Sequence, residues 1–283
     1  MSTFIAVARM IKIEHSVFAL PFAYIGAFLA AGGWPGLWKL GVLTAAVVAM
    51  RSYAMTYNRL ADLQYDRLNP RTKNRPLVTG EITTLQAKRF CMGAAFIFVA
   101  ACALLNSLCF FLSPIPLALS AFYSYTKRFT WLCHFILGSV LGLAPLAGWL
   151  GVDPSALSPQ AALLFFGVTF WVAGFDILYS CLDIEFDQSQ NLHSVPVRFG
   201  LKQALFLSSF CHVNTCLFFL LVGWSAGLSW IYYLVWALVA GVLAYEHRLV
   251  SADDLSRVNL AFFTLNGFVA MALFVGVLLA LFV

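Results

Sequence analysis

The sequence predicts an all-α membrane protein, a bundle of nine transmembrane helices. Of its 283 residues, 62% are hydrophobic and only 10% are charged, whereas a soluble domain carries about 25% charged residues. Nine apolar segments approach the roughly 20 residues that a helix needs to cross a bilayer. Lysines and arginines are concentrated in alternate loops between these segments, which is typical of a polytopic membrane protein.

The apolar segments follow one another along the whole chain. A segment at 3–14 mixes apolar and charged positions and is typical of a short interfacial helix. Glycine and proline recur at turns between the later segments, as at 32–36 and 153–159. The nine predicted spans are 16–32, 40–60, 88–106, 108–125, 130–150, 160–181, 204–223, 228–246 and 259–282.

The loops between the predicted spans alternate in charge. Those after spans 1, 3, 5 and 7 contain one basic residue, Lys39. Those after spans 2, 4, 6 and 8 contain Arg67, Arg71, Lys73 and Arg75, then Lys127 and Arg128, then Arg198 and Lys202, then Arg248 and Arg257. The positive-inside rule therefore predicts a cytoplasmic N-terminus and four cytoplasmic basic loops. Because topology accounts for the net charge of +5, we expect a lipid bilayer and no nucleic acid as partner.

Span 2 runs into a polar segment that is unusual beside a membrane. On a continuous α-helix, Asn58, Asp62 and Asp66 lie within about 80° of one another, on one face. Carboxylates at this spacing, followed by Arg71 and Arg75, indicate a metal–diphosphate site. Carboxylate oxygens hold Mg²⁺, which shares the substrate's phosphates, and arginines bind phosphate through forked hydrogen bonds. A helix end with solvated charges is the alternative interpretation.

A second acidic segment ends span 6. There Asp176, Tyr179, Asp183 and Asp187 also share one helix face. If the two segments meet, four carboxylates face one another, and they repel unless cations intervene. Two Mg²⁺ ions with a diphosphate between them satisfy that requirement.

The two acidic segments also suggest an internal duplication. Four spans separate them, an even number, so both segments point the same way in the membrane. This arrangement predicts one domain over 1–283, built from four-helix units at about 16–128 and 130–248 with a ninth helix added.

The chain resembles the UbiA superfamily of intramembrane aromatic prenyltransferases in two segments, NRLADLQYDRLNPRTKNRPL from Asn58 and DILYSCLDIEFD from Asp176. The resemblance continues through the opening KIEHSVFALPFA, the turn at 123–128 and the segment HSVPVRFG. Arg59 stands where many members have an acid, and the forms NR and NPRT resemble the bacterial branch that acts on 4-hydroxybenzoate. The resemblance implies nine helices around a central cavity, in a bacterial inner membrane, with the active site facing the cytoplasm.

The same resemblance implies the reaction and its site. It is transfer of a polyprenyl group from a polyprenyl diphosphate to a small aromatic acid, with Mg²⁺ as cofactor. The residues implied to hold Mg²⁺ and the diphosphate are Asn58, Asp62, Asp66, Asp183 and Asp187. Oxygen ligands suit this hard cation, and the seven cysteines form no CxxC pair that would suit a softer one.

Basic and aromatic side chains complete the implied site. The bases expected to bind the leaving diphosphate are Arg71, Arg75, Lys127, Arg128 and Arg198, although topology alone explains the last three. The rings of Tyr123, Tyr125 and Tyr179 are candidates to stabilise the allylic cation, and core packing is the alternative role for each.

Arg51 lies about 10 Å deeper in the membrane than Asn58, where a charged side chain needs a partner. Two partners remain open, the carboxylate of the aromatic acid and Asp176. The acceptor has two candidates as well: 4-hydroxybenzoate in quinone synthesis, which we favour, and 1,4-dihydroxy-6-naphthoate in menaquinone synthesis. A secondary transporter also fits internal duplication, but its acids are expected near the midplane of the membrane and not at helix ends.

Overall fold

Helices account for the regular structure of residues 3–12, 19–155 and 158–283, which this computed structural model describes. No strand occurs within those ranges, so the predicted all-α class is confirmed. The end of the predicted interfacial helix and the start of the first predicted span fall at residues 13–18, outside the described part of the chain.

The helices are α1 Thr3–Ile11, α2 Leu20–Ala31, α3 Leu37–Ala61, α4 Leu63–Leu68, α5 Pro76–Thr79, α6 Thr84–Leu105, α7 Ser107–Leu112, α8 Pro114–Thr126, α9 Cys133–Val152, α10 Pro159–Ser180, α11 Ile184–Ser189, α12 Val195–Phe199, α13 Leu201–Ser225, α14 Trp230–Leu249 and α15 Asn266–Phe282. A 3₁₀ turn at Cys181–Asp183 joins α10 to α11, and a π-helical turn at Leu260–Leu265 precedes α15.

Each of the nine predicted spans contains helix. Within the described residues, six helical segments are long and apolar enough to cross a membrane, which makes this a multi-pass membrane protein. The other three predicted spans correspond to α2, which has 12 described residues, and to α3 and α14, which are not among those six segments. The count of nine crossings therefore stays a prediction.

One predicted span is interrupted. The segment 108–125 is divided between α7 and α8 at Ser113 because Pro114 begins the second helix. Proline has no N–H to continue the helical hydrogen bonds, but its fixed φ suits a first helical turn. The prediction of one unbroken span followed the apolar length of the segment and not the break signalled by Ser113 and Pro114.

The basic loops lie at one end of the bundle. Arg71 and Lys127, from the loops after α4 and α8, form ion pairs with acids at the end of α10 and on α11. At the other end Lys39 donates to the Val152 carbonyl at 3.0 Å, between two loops that are poor in basic residues. The alternation predicted from loop charge is therefore present, while the side of the membrane on which each end lies stays a prediction.

Small residues bring α9 into close contact with its neighbours. A Cβ on Gly138 would lie 2.2 Å from the Thr169 carbonyl oxygen of α10, and one on Gly148 would lie 1.8 Å from the Ala23 carbonyl oxygen of α2. Glycine is required at both places, since close backbone approach is how helices pack strongly inside a membrane. The tight contact of α9 with α10 also fixes the side chains that these helices carry toward the site.

Candidate active site

The two acidic segments meet at the basic end of the bundle. Asn69 Nδ2 donates to Asp183 Oδ1 at 3.3 Å. Arg71 donates to the same carboxylate through Nε at 3.0 Å and Nη2 at 2.5 Å. The ends of α4 and α10 are therefore joined, as their parallel orientation predicted. Between them lies a polar cavity of about 190 Å³.

The prediction that the first acidic segment is one continuous helix is wrong. It bends at Asp62, where α3 ends and α4 begins, with φ −94° and ψ 5°. The four-residue hydrogen bonds nevertheless continue through the bend: Asp62 N–H donates to Asn58 O at 2.9 Å, and Asp66 N–H donates to Asp62 O at 2.8 Å. Asn58, Asp62 and Asp66 therefore all line the polar cavity.

The second acidic segment changes from α-helix to 3₁₀-helix and back between Asp176 and Asp187. After α10 ends at Ser180, the 3₁₀ turn carries Asp183, and α11 carries Asp187. Both carboxylates are buried, at 8% and 1% exposure. Asp176 and Tyr179, still on α10, line the same cavity.

Each of the four aspartates faces a base. The ion pairs are Asp66–Arg75 at 2.6 Å, Asp183–Arg71 at 2.5 Å, Asp187–Lys127 at 2.7 Å and Asp62–Arg128 at 3.7 Å. This arrangement differs from the predicted cluster of four facing carboxylates: across the described residues, no three acids, histidines or cysteines are arranged to hold a metal ion. The physical reason is that a buried carboxylate is stable only with a paired opposite charge.

The chemistry of these side chains still suits a hard divalent cation. The cavity is lined from both sides by carboxylate oxygens, which Mg²⁺ prefers. Burial, and to a lesser extent the charge of Asp66, raises the pKa of Asp62 to about 6. A cation bound nearby would favour the charged form of this carboxylate.

A second, apolar cavity of about 460 Å³ opens from the polar one. Its walls include Leu43, Phe98 and Leu150, so it extends along α3 far from the acidic segments. The residues that line both cavities, and so mark their junction, are Asn58, Arg59, Arg71, Arg75, Tyr123, Asp176 and Tyr179. A charged group in the polar cavity and a long apolar chain in the other would meet at this junction.

The predicted tyrosines are placed differently from one another. Tyr179 accepts a hydrogen bond from Arg71 Nη1 at 2.9 Å, and the guanidinium lies 5.0 Å from its ring centre. Tyr123 also faces the junction, whereas Tyr125 lines neither cavity and lies beneath the guanidinium of Arg128 at 4.7 Å. We therefore withdraw the proposed cation-stabilising role of Tyr125.

Arg51 lines the apolar cavity, as its depth predicted. Asp176, one of its two predicted partners, is bonded to His134, with His134 Nδ1 2.7 Å from Asp176 Oδ2. Both predicted partners of Arg51 stay predictions. His134 was missed by the sequence analysis because it lies alone in an apolar segment, with no spacing that relates it to an acid.

Arg198 lies apart from the other predicted bases. It is exposed on α12 and lines neither cavity. Helix α12 is short and begins at Val195, which is fully buried, so the helix turns its last residues outward. The structure thus does not bring Arg198 to the site, and topology remains the explanation for this base.

A sequence profile of the UbiA prenyltransferase family matches residues 19–268. A 4-hydroxybenzoate octaprenyltransferase of Salmonella paratyphi B is 29% identical over 280 residues, 97% of this chain and 95% of the relative. A UbiA homologue from Aeropyrum pernix K1, 37% identical, superimposes with a TM-score of 0.86 over 94% of this chain and 98% of its own. A UbiA homologue from Archaeoglobus fulgidus bound to GPP and Mg²⁺, 20% identical, shares the fold with a TM-score of 0.77 over 98% of this chain and 100% of its own. This chain therefore belongs to the UbiA prenyltransferase family and is an intramembrane aromatic prenyltransferase.

Proposed function

We propose that this protein transfers a polyprenyl group from a polyprenyl diphosphate to 4-hydroxybenzoate, with Mg²⁺, at the cytoplasmic face of a bacterial inner membrane. The observation that carries the proposal is the junction of two cavities, one lined by acids and bases and the other apolar. Such a pair of cavities fits a molecule with an anionic head and a long hydrocarbon tail. The Salmonella relative is named for prenylation of 4-hydroxybenzoate, and the Archaeoglobus homologue was solved with GPP and Mg²⁺.

The head of the donor would lie between the two acidic segments. Asp62, Asp66, Asp183 and Asp187 would hold Mg²⁺, which when bound neutralises charge on the leaving diphosphate. Arg71, Arg75, Lys127 and Arg128 lie against these acids and would bind phosphate oxygens through charge-assisted hydrogen bonds. Fixed cations stabilise the developing negative charge most where water is excluded, which suits bases that are themselves half-buried.

The organic part of the reaction would occur at the junction. Departure of the diphosphate would leave an allylic cation, and the rings of Tyr123 and Tyr179, which line both cavities, would stabilise it. The apolar walls of the large cavity exclude water, which would otherwise capture that cation. Arg51, deeper in this cavity, would bind the carboxylate of the aromatic acid and so orient its ring.

Acceptor profiling tests the proposal directly. The purified protein would be assayed with Mg²⁺ and geranyl diphosphate against 4-hydroxybenzoate and, in parallel, 1,4-dihydroxy-6-naphthoate. We expect a prenylated product from 4-hydroxybenzoate and none after chelation of Mg²⁺. Faster use of the naphthoate would move the protein to menaquinone synthesis, and transfer to no aromatic acid would contradict the proposal.

The variant Arg51→Leu tests the acceptor site separately. Loss of a charge-assisted contact to the acceptor should lower kcat/KM for 4-hydroxybenzoate by about 100-fold. The KM for geranyl diphosphate should change little, since Arg51 lies about two helical turns before Asn58 on α3. Equal loss toward both substrates would count against the assignment of Arg51.

A further inference from the structure

His134 and Asp176 form a buried pair at the junction of the two cavities. His134, on α9, is 2% exposed, and its two ring nitrogens have different partners. Nδ1 lies 2.7 Å from Asp176 Oδ2, while Nε2 lies 3.2 Å from the backbone nitrogen of Val195. A backbone N–H can only donate, so Nε2 accepts and the ring proton is on Nδ1. His134 therefore donates a hydrogen bond to Asp176.

The imidazole is fixed from both sides. Val195 is fully buried at the start of α12, where the Ser194 hydroxyl accepts from Val197 N–H at 3.4 Å. The preceding His193 N–H donates to the Lys127 carbonyl at 2.6 Å, so this segment is also tied to the diphosphate-binding end of α8. Helices α9 and α10 approach closely one turn further along, at Gly138. Neither ring nor carboxylate can move without disturbing this packing.

Asp176 is suited to bind the aromatic acid that accepts the prenyl group, and not the prenyl diphosphate that donates it. Its side chain is 20% exposed and lines both cavities. Because Oδ2 is bonded to His134, we assign Oδ1 as the oxygen that takes the acceptor. A carboxylate repels a diphosphate but accepts a hydrogen bond from a hydroxyl group. Arg51 lines the same cavity and offers the opposite charge, so the two side chains suit the two ends of a hydroxylated aromatic acid.

We propose that His134 is a positioning residue that holds Asp176 so that Oδ1 accepts a hydrogen bond from the acceptor hydroxyl. This inference rests on the proposed function and adds a residue to it. The bond orients the ring and increases electron density at the carbon next to the hydroxyl. There the new carbon–carbon bond forms as the donor's allylic carbon–oxygen bond to diphosphate breaks, and the ring hydrogen at that carbon leaves as a proton. Without this hydrogen bond the acceptor ring would be misplaced, and a misplacement of about 1 Å lowers the rate about 100-fold.

Two variants of His134 separate positioning from packing. In His134→Asn the amide nitrogen lies near the position of Nδ1 and can still donate to Asp176. In His134→Gln the amide is one carbon further out, near Nε2, and cannot. We expect His134→Gln to lower kcat with 4-hydroxybenzoate about 100-fold while the KM for geranyl diphosphate stays unchanged. His134→Asn should stay within about fivefold of wild type.

The outcomes distinguish the inference from the function on which it rests. An equal loss of kcat in both variants, or a KM for geranyl diphosphate that rises in both, overturns the positioning role of His134. The proposed function still holds in that case if the wild-type protein prenylates 4-hydroxybenzoate. A wild type that binds geranyl diphosphate but prenylates no aromatic acid overturns both. If the variants fail to fold, ¹⁵N-histidine spectra of the wild-type protein still decide: a protonated Nδ1 at His134 is expected, and a protonated Nε2 contradicts the inference.

Discussion

The two acidic segments differ in the origin of the bases that pair with them. Two aspartates of the second segment pair with bases from the first half of the chain, Asp183 with Arg71 and Asp187 with Lys127, while the third, Asp176, is bonded to His134. The second half has its own base in the corresponding loop, Arg198, but that residue is exposed and lines neither cavity. The buried carboxylates of Asp183 and Asp187 therefore depend on the first half of the chain for their cationic partners.

The first segment is neutralised within its own half of the chain. Asp66 pairs with Arg75, nine residues later, through Nη1 at 2.6 Å to both carboxylate oxygens. Asp62 lies 3.7 Å from Arg128, at the end of α8. Of the two proposed four-helix units, the first would thus supply the bases that pair with Asp183 and Asp187 as well as those that pair with its own Asp62 and Asp66. This asymmetry indicates that the halves are held together at the site by charge as well as by packing.

Removal of an acid from the second segment should have the largest effect. Asp183→Ala deletes a proposed metal ligand and leaves Arg71 without its partner, so we expect kcat/KM to fall by about 1,000-fold. Glu185→Ala is the matched control, because Glu185 is an exposed acid on the adjacent helix that lines neither cavity. Similar activity of the two variants would contradict the assignment of Asp183 as a metal ligand.

Loss of a base from the first half should destabilise the second segment. Lys127→Met leaves Asp187, 1% exposed, without its cation, and should lower the free energy of unfolding by about 3 kcal/mol. Lys73→Met removes an exposed base from the loop after α4. This control should change the free energy of unfolding by less than about 0.5 kcal/mol. Unfolding in mixed micelles measures both, and equal stability would show that the cross-pairing contributes nothing.

Tyr179→Phe should have the smallest effect. The ring stays in place, but the hydroxyl that accepts from Arg71 at 2.9 Å is lost. We expect kcat to fall about fivefold, the equivalent of one hydrogen bond, with the fork of Arg71 to Asp183 retained. Steady-state kinetics with geranyl diphosphate measures this change, and a loss as large as that of Asp183→Ala would mean that the hydroxyl has a further role.

Sequence reasoning reached the fold class and the meeting of the two segments because both follow from strong local signals. Apolar length predicts helices, and four-residue spacing places Asp62 and Asp66 on one face. What it missed depends on tertiary contacts. The pairing of Asp183 with Arg71 and the bond from His134 to Asp176 join side chains far apart in the chain. The bend at Asp62 has no signal in the four-residue spacing. A lone histidine in an apolar span carries no pattern from which its partner could be inferred.

The central claim is that the two acidic segments hold a cation-bound diphosphate between them. Crystals grown with Mn²⁺ and a non-hydrolysable prenyl diphosphate analogue would test it through anomalous scattering. We predict manganese peaks within coordination distance of Asp62 or Asp66 on one side and of Asp183 or Asp187 on the other, with the diphosphate between them. Analogue bound with no manganese at these carboxylates, or manganese bound elsewhere in the protein, would contradict the account.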